Sequence, residues 1–219
     1  MLPVNEWFET IQGEATFTGT PSIFIRLQGC PVGCGWCDTK HTWDVELGAD
    51  IRIEAMMAKQ VDSPAYAYMT LDQITSRINQ SNCLHVVITG GESCMYDLWM
   101  LTHSIIAQGR TVQVETSGTF PIKVCDETFV TVSPKLDMPG GKEVLTESLQ
   151  RADEIKFPVG KQADVDKLLD RIVPLVDYDA IIWLQPLSQN KTATALCVKA
   201  ATEHGWNVSI QTHKFIGVR

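Results

Sequence analysis

The sequence predicts an α/β protein: a partial (β/α) barrel of about six to seven mostly parallel strands. Two observations lead there. Short apolar runs bounded by glycine or polar residues recur along the chain, as strands buried on both faces of a parallel sheet do. Helical patterns separate most of them, and such alternation is the signature of parallel βα units. Seven runs are one short of a closed eight-stranded barrel. At 219 residues the chain suits one domain, 1–219, and nothing in its composition divides it.

In chain order, residues 1–21 read as irregular or edge structure around Gln12, Gly13 and Glu14, ending in a turn at Gly19 to Pro21. A strand over 22–28 follows and delivers a loop carrying Cys30, Cys34 and Cys37. Residues 44–69 show no single period and read as an insertion. Thr70 and Gln73 form a capping box that opens a helix through Ile78. The apolar run 85–89 is a buried strand stopped by Gly90 and Gly91, and a helix over 97–108 is stopped by Gly109. Strands over 111–115, 129–133, 154–157, 180–185 and 206–211 then alternate with helices over 143–151, 163–173 and 192–204.

Ligands in such folds bind at the carboxyl ends of the strands. Those ends hold the three cysteines, then Gly90, Gly91 and Glu92, then Glu115 to Gly118, then Ser133 to Lys135, then Lys156, Gln185 and His213. One rim would carry all of them.

Composition narrows the partners. Lys and Arg number 18 against 26 Asp and Glu, a net charge of −8, with no basic cluster suited to a phosphate backbone. Nucleic acid is not expected. No apolar run approaches the ~20 residues of a membrane span, and no basic stretch followed by an apolar one marks a leader. Of seven cysteines, Cys83, Cys94, Cys125 and Cys197 are scattered and expected as buried packing rather than a disulfide scaffold. A reducing cytoplasm is the expected compartment.

The cysteine loop carries the chemistry. Its C-x3-C-x2-C spacing provides three thiolates, where an iron-sulfur cluster normally takes four, and one iron would stay open to an outside ligand. His41 extends the run to C-x3-C-x2-C-x3-H, which also suits a closed structural zinc site in a module without catalysis.

Trp36, directly before the third cysteine, makes the loop resemble that of the radical S-adenosylmethionine (SAM) enzymes. Gly90, Gly91 and Glu92 resemble their Gly-Gly-Glu motif, where missing side chains let the backbone approach the methionyl amine. Further stretches resemble the 7-carboxy-7-deazaguanine synthase family within that group: Gln12 to Glu14, Phe24 to Cys30, Cys37 to Trp43, Thr89 to Glu92, Glu115 to Gly118, Val132 to Lys135, Leu184 to Pro186, and Gln211 to Lys214. Two positions depart from the pattern. Ser93 stands where proline usually follows Gly-Gly-Glu, and Ala15 where glycine commonly follows Glu14.

The resemblance implies conversion of 6-carboxy-5,6,7,8-tetrahydropterin to 7-carboxy-7-deazaguanine with loss of ammonia. It implies a 4Fe-4S cluster on Cys30, Cys34 and Cys37, with SAM used catalytically among Trp36, Gly90, Gly91, Glu92, Ser117, Ser133, Lys135 and Gln185. Mg²⁺ would sit at Thr39. The pterin would be bound by Gln12, Gly13, Glu14, Arg26, Thr89 and His213, with Arg219 at the chain end. An electron donor such as flavodoxin and a homodimer are implied as partners. A radical SAM activase acting on a partner protein shares the cluster and Gly-Gly-Glu, but needs no pterin pocket.

Overall fold

Along each central strand the side chains sort by parity, which places the core on one face of the sheet and polar groups on the other. The computed structural model describes residues 1–46 and 48–218. Their elements are β1 (Leu2–Ile11), β2 (Pro21–Leu27), α1 (Ile53–Met57), β3 (Ala67–Met69), α2 (Leu71–Ile78), β4 (His85–Gly90), α3 (Trp99–Ala107) and β5 (Thr111–Thr116). Then come β6 (Phe129–Val132), α4 (Thr146–Gln150), β7 (Glu154–Val159), α5 (Gln162–Arg171), β8 (Ile181–Pro186), α6 (Lys191–His204), β9 (Asn207–Val208) and α7 (Thr212–Ile216).

Among the described residues one sheet has nine strands in the order β3-β1-β2-β4-β5-β6-β7-β8-β9. From β2 to β9 every neighbouring pair is parallel, and β1 runs antiparallel between β2 and β3. The order does not close on itself, so the sheet is open. All seven runs expected as strands are present, and two more raise the count to nine. One, β1, corrects the irregular reading of residues 1–21. Its Asn5 and Glu6 break the apolar pattern, yet both are buried because distant residues satisfy them. Asn5 Nδ2 donates to Gln28 Oε1 at 2.6 Å, and Glu6 pairs with Arg26 on β2. The other, β3, lies in the 44–69 segment, whose Met56, Tyr66, Ala67 and Met69 are buried. The last strand is shorter than expected, because the chain turns after Val208 toward α7.

The apolar parity packs outward. Ile23, Ile25 and Leu27 of β2, Val112 and Val114 of β5, Val130 and Val132 of β6, and Ile155, Phe157 and Val159 of β7 belong to one core with Ile74 and Ile78 of α2, Leu101 and Ile105 of α3, and Val165 and Leu168 of α5. The opposite parity, including Arg26, Gln113, Glu115, Thr131, Glu154 and Lys156, carries the hydrogen-bonding groups. The loop after β1 reaches toward the β9 side: Thr212 N donates to Gly13 O at 2.9 Å, and Ala15 N to Ser209 Oγ at 3.0 Å. These contacts link the two ends of the open sheet.

The capping box on α2 is formed: Thr70 N donates to Gln73 Oε1 at 2.8 Å and Gln73 N to Thr70 Oγ1 at 3.2 Å. Replacing Thr70 by Ala should therefore cost about 1 kcal/mol of stability. Urea unfolding reads it as a lower midpoint at unchanged slope, and an unaltered midpoint would show that the cap contributes nothing.

Candidate active site

Every site residue expected from the sequence lines a single cavity of about 750 Å³, apart from Arg219, which lies outside the described residues. Such a volume falls in the upper part of the roughly 300–1,000 Å³ usual for small-molecule sites. The cysteine loop and a cluster of carboxylates and amides both line the cavity.

The cysteine loop is tied at its base. Gly29 N donates to Thr42 O at 2.7 Å and Cys30 N to Trp43 O at 2.8 Å, while the buried Gln28 amide donates to His41 O and Asp44 O. Cys30, Cys34 and Cys37 line the cavity with Trp36, which is also exposed. Burial pushes the Cys30 thiol up to about 11 and raises Cys34 as well. Loading a metal must therefore displace their protons, since thiolates are the ligands. Cys37 Sγ accepts from Thr39 N and from Trp43 Nε1, both at 3.4 Å. His41 does not complete a four-ligand zinc site. Its ring turns instead toward Glu6 Oε1 at 3.8 Å and Asp62 Oδ2 at 3.9 Å. Three thiols with an open side suit a cluster that keeps one iron available. Thr39 precedes a short 3₁₀ turn, but its side chain makes no cap hydrogen bond; its hydroxyl lies 3.7 Å from Cys37 Sγ.

Gly91 is fixed by close approach, since a Cβ there would meet Gly29 O at 2.1 Å. That contact presses the Gly-Gly-Glu turn onto the cysteine loop, with Glu92 N donating to Gly29 O at 2.7 Å. The Glu92 side chain is buried and fully engaged. Its Oε1 accepts from Thr116 Oγ1 at 2.5 Å and Cys94 N at 2.9 Å; its Oε2 accepts from Ser117 N at 2.7 Å and from Ser117 Oγ. Glu92 thus knots the ends of β4 and β5 at the cavity wall. Beside it Lys135 Nζ donates to Ser133 Oγ, and burial lowers the lysine's affinity for its proton despite the nearby Cys34.

In the carboxylate cluster Lys156, half-way along β7, is buried between two carboxylates. Its Nζ is 2.5 Å from Glu14 Oε2 and 3.1 Å from Glu115 Oε1. Glu14 Oε1 also accepts from Gln211 Nε2 at 2.8 Å and Gln185 Nε2 at 3.4 Å. Gln185 thereby sits beside Glu14, with its own Oε1 buried and unpartnered. Gln12 is buried beneath: its Nε2 donates to Gln113 Oε1 at 3.0 Å and Glu115 Oε1 at 3.2 Å, and its Oε1 accepts from Glu14 N. Thr89 Oγ1 donates to Glu115 Oε2 at 3.3 Å. A Cβ on Gly13 would strike the His213 ring at 2.1 Å, so the glycine gives His213 its place; burial lowers that histidine's pKa. Arg26 Nε donates to Glu6 Oε2 at 2.7 Å, which pins the guanidinium against the wall.

Glu115, Lys156 and Gln211 hold this cluster together, although the sequence motifs gave them no binding role. Polar residues at alternate positions of otherwise apolar strands were the available signal. Only the contacts made across the fold show that they converge.

No protein-family model matches the chain. It is 45% identical over 219 residues to the 7-carboxy-7-deazaguanine synthase of Escherichia coli strain K12, spanning 99% of this chain and 98% of that one. The synthase of that name from Buchnera aphidicola subsp. Schizaphis graminum is 41% identical, over 99% of each chain. The chain belongs to the 7-carboxy-7-deazaguanine synthase family. A crystal structure of QueE from Escherichia coli superposes with a TM-score of 0.94 at 46% identity, covering 97% of this chain and 94% of that one.

Within this family pattern, the two departures have local explanations. Ala15 has φ 54°, in the left-handed region that favours glycine, which accounts for glycine being common there. Ser93 compensates for the missing proline with a hydrogen bond from its Oγ to Glu115 O at 2.6 Å.

Replacing Cys30, Cys34 or Cys37 by Ala should remove most of the iron and the visible absorbance of anaerobically prepared protein. Ala at Cys83, Cys94, Cys125 or Cys197 should leave both in place. Full iron in the Cys34 variant together with loss in the Cys125 variant would show the ligand set to be different.

Proposed function

We propose that this chain, an enzyme of the lyase type in queuosine biosynthesis, converts 6-carboxy-5,6,7,8-tetrahydropterin to 7-carboxy-7-deazaguanine with loss of ammonia. The observation that carries the reading is the single cavity, lined both by the three thiols and by the carboxylates and amides around Lys156. A zinc module has no use for the second group, and neither has an activase.

In this reading Cys30, Cys34 and Cys37 hold a 4Fe-4S cluster. SAM lies among Trp36, Gly90, Gly91, Glu92, Ser117, Ser133, Lys135 and Gln185, with Glu92 acting through the backbone it fixes. When bound and reduced, the cluster supplies the electron that cleaves SAM to a 5'-deoxyadenosyl radical able to take hydrogen from substrate C6. Thr39 would offer a hard oxygen to Mg²⁺. Glu14 accepts from the guanidine-like edge, supported by Gln12 and Gly13, while Thr89 and His213 flank the ring with Arg219. With Nε donating to Glu6 Oε2 and Nη1 to Gly90 O at 3.5 Å, Arg26 offers its remaining N–H groups to the substrate carboxylate. A homodimer in the cytoplasm, reduced by a donor such as flavodoxin, completes the reading.

Loss of ammonia alone leaves the oxidation level of substrate and product equal, so hydrogen taken from C6 must be returned and SAM regenerated. In an anaerobic assay with Mg²⁺ and a reductant, substrate deuterated at C6 should pass label into the 5' position of SAM over repeated turnovers. One SAM consumed per product, with no label in recovered SAM, contradicts this use of the cofactor.

Replacing Arg26 by Lys keeps the charge but loses the planar fork. Pterin affinity should fall about tenfold to a hundredfold, the loss expected of a charged hydrogen bond worth roughly 1.5–3 kcal/mol, with SAM affinity unchanged. Calorimetric titration of each ligand checks this, and equal losses would mark the arginine as structural.

A further inference from the structure

We propose that Lys156 is a positioning residue that sets what the carboxylate cluster recognises: it bridges Glu14 and Glu115 and holds them at a fixed spacing, so that the pair presents two acceptors to a ligand edge donating two N–H groups. The inference rests on the pterin reading above and extends it to a residue for which that reading has no role.

The acceptor count carries the argument. An ionised carboxylate has about four lone-pair positions. Glu14 uses three, on Lys156, Gln211 and Gln185. Glu115 also uses three, on Lys156, Gln12 and Thr89. Each has one left, and both residues line the cavity. A ligand edge with two N–H donors, such as the 2-amino and ring N–H of a pterin, matches the pair. A carbonyl at the same place would face two lone pairs. The lysine itself is 7% exposed and its ammonium has no acceptor capacity, so it cannot read the ligand in their stead.

Two adjacent carboxylates cannot both stay ionised in a buried site without a cation between them. For Glu14, burial pushes the pKa up, but the Lys156 charge and hydrogen bond, helped by Gln211 and His213, bring it below the usual carboxylate range. For Lys156, burial acts downward and is outweighed by Glu115 and Glu14, so the ammonium is held more firmly than usual. The other ionisable groups facing this cluster are Glu154 on β7, Lys135 after β6, and His213 with Lys214 on α7.

Lys156→Met keeps the length and removes the charge. Without the cation Glu14 holds its proton to higher pH, because burial and the neighbouring carboxylate are no longer offset by the ammonium. The low-pH limb of pterin binding should move to higher pH by at least about one unit, so that affinity compared at one pH on that limb falls about tenfold. Calorimetry on the reconstituted holoenzyme reads pterin and SAM separately, and SAM affinity should stay within about twofold, a difference of roughly 0.4 kcal/mol by the same free-energy scale. Infrared spectra should show a protonated carboxyl absent from the wild type. Lys156→Met combined with Glu115→Gln removes one charge of each sign, and its limb should lie between those of the wild type and the single variant.

An unmoved limb with no new protonated carboxyl, or a double variant no better than the single, overturns the proposal. If the single variant does not fold, Glu115→Gln is compared with the double variant: the double should have the limb at higher pH, and coincident limbs overturn the proposal. Wild-type protein that binds SAM but not the pterin overturns the functional reading instead, and the infrared comparison still decides whether Lys156 controls ionisation.

Discussion

An ammonium group enters a protein interior only where anions meet it, because an unpaired buried charge costs several kcal/mol. Lys156 imposes that condition on the polar face of this sheet. Its partners arrive from β5 and from the loop after β1, so that loop must cross to the interior. A second polar layer beneath secures the crossing. Gln12 reaches Gln113, Gln113 reaches Thr131 at 2.8 Å, Thr131 reaches Glu154 at 2.8 Å, and Thr16 Oγ1 closes the row on Glu154 at 2.5 Å. Each buried polar group in this row has a partner, which such layers require.

The end of β5 joins the two groups that line the cavity. The Glu115 side chain belongs to the carboxylate cluster, while its carbonyl accepts from Ser93 of the Gly-Gly-Glu turn. Thr116 and Ser117, the next two residues, donate to Glu92. Consecutive residues therefore position the turn facing the cysteine loop and one carboxylate of the Lys156 cluster. Their separation is set by backbone rather than by flexible side chains, and reactions that depend on near-contact geometry need that rigidity.

A third tie lies in the cavity wall. Lys214 on α7 pairs with Asp38 at 2.9 Å, linking the C-terminal helix to the stretch just after Cys37. The pair is exposed, so it adds little stability. The buried contacts of Gly13 with Thr212 and His213 are better placed to hold this edge. They also join the first and last parts of the chain where the sheet itself stays open.

The sequence alone established the α/β class, the seven parallel strands, the cysteine loop and the strand-end groups, because apolar periodicity and short motifs are local properties. The capping box at Thr70 and Gln73 was legible for the same reason. Tertiary structure decided the rest. It made β1 a strand by satisfying Asn5 and Glu6 from 20 and more residues away, and it turned His41 from the thiols toward Glu6 and Asp62. It also brought Lys156 to Glu14 across 142 residues of chain. Burial of a polar group depends on partners that only the closed fold supplies, and no local pattern records who those partners are.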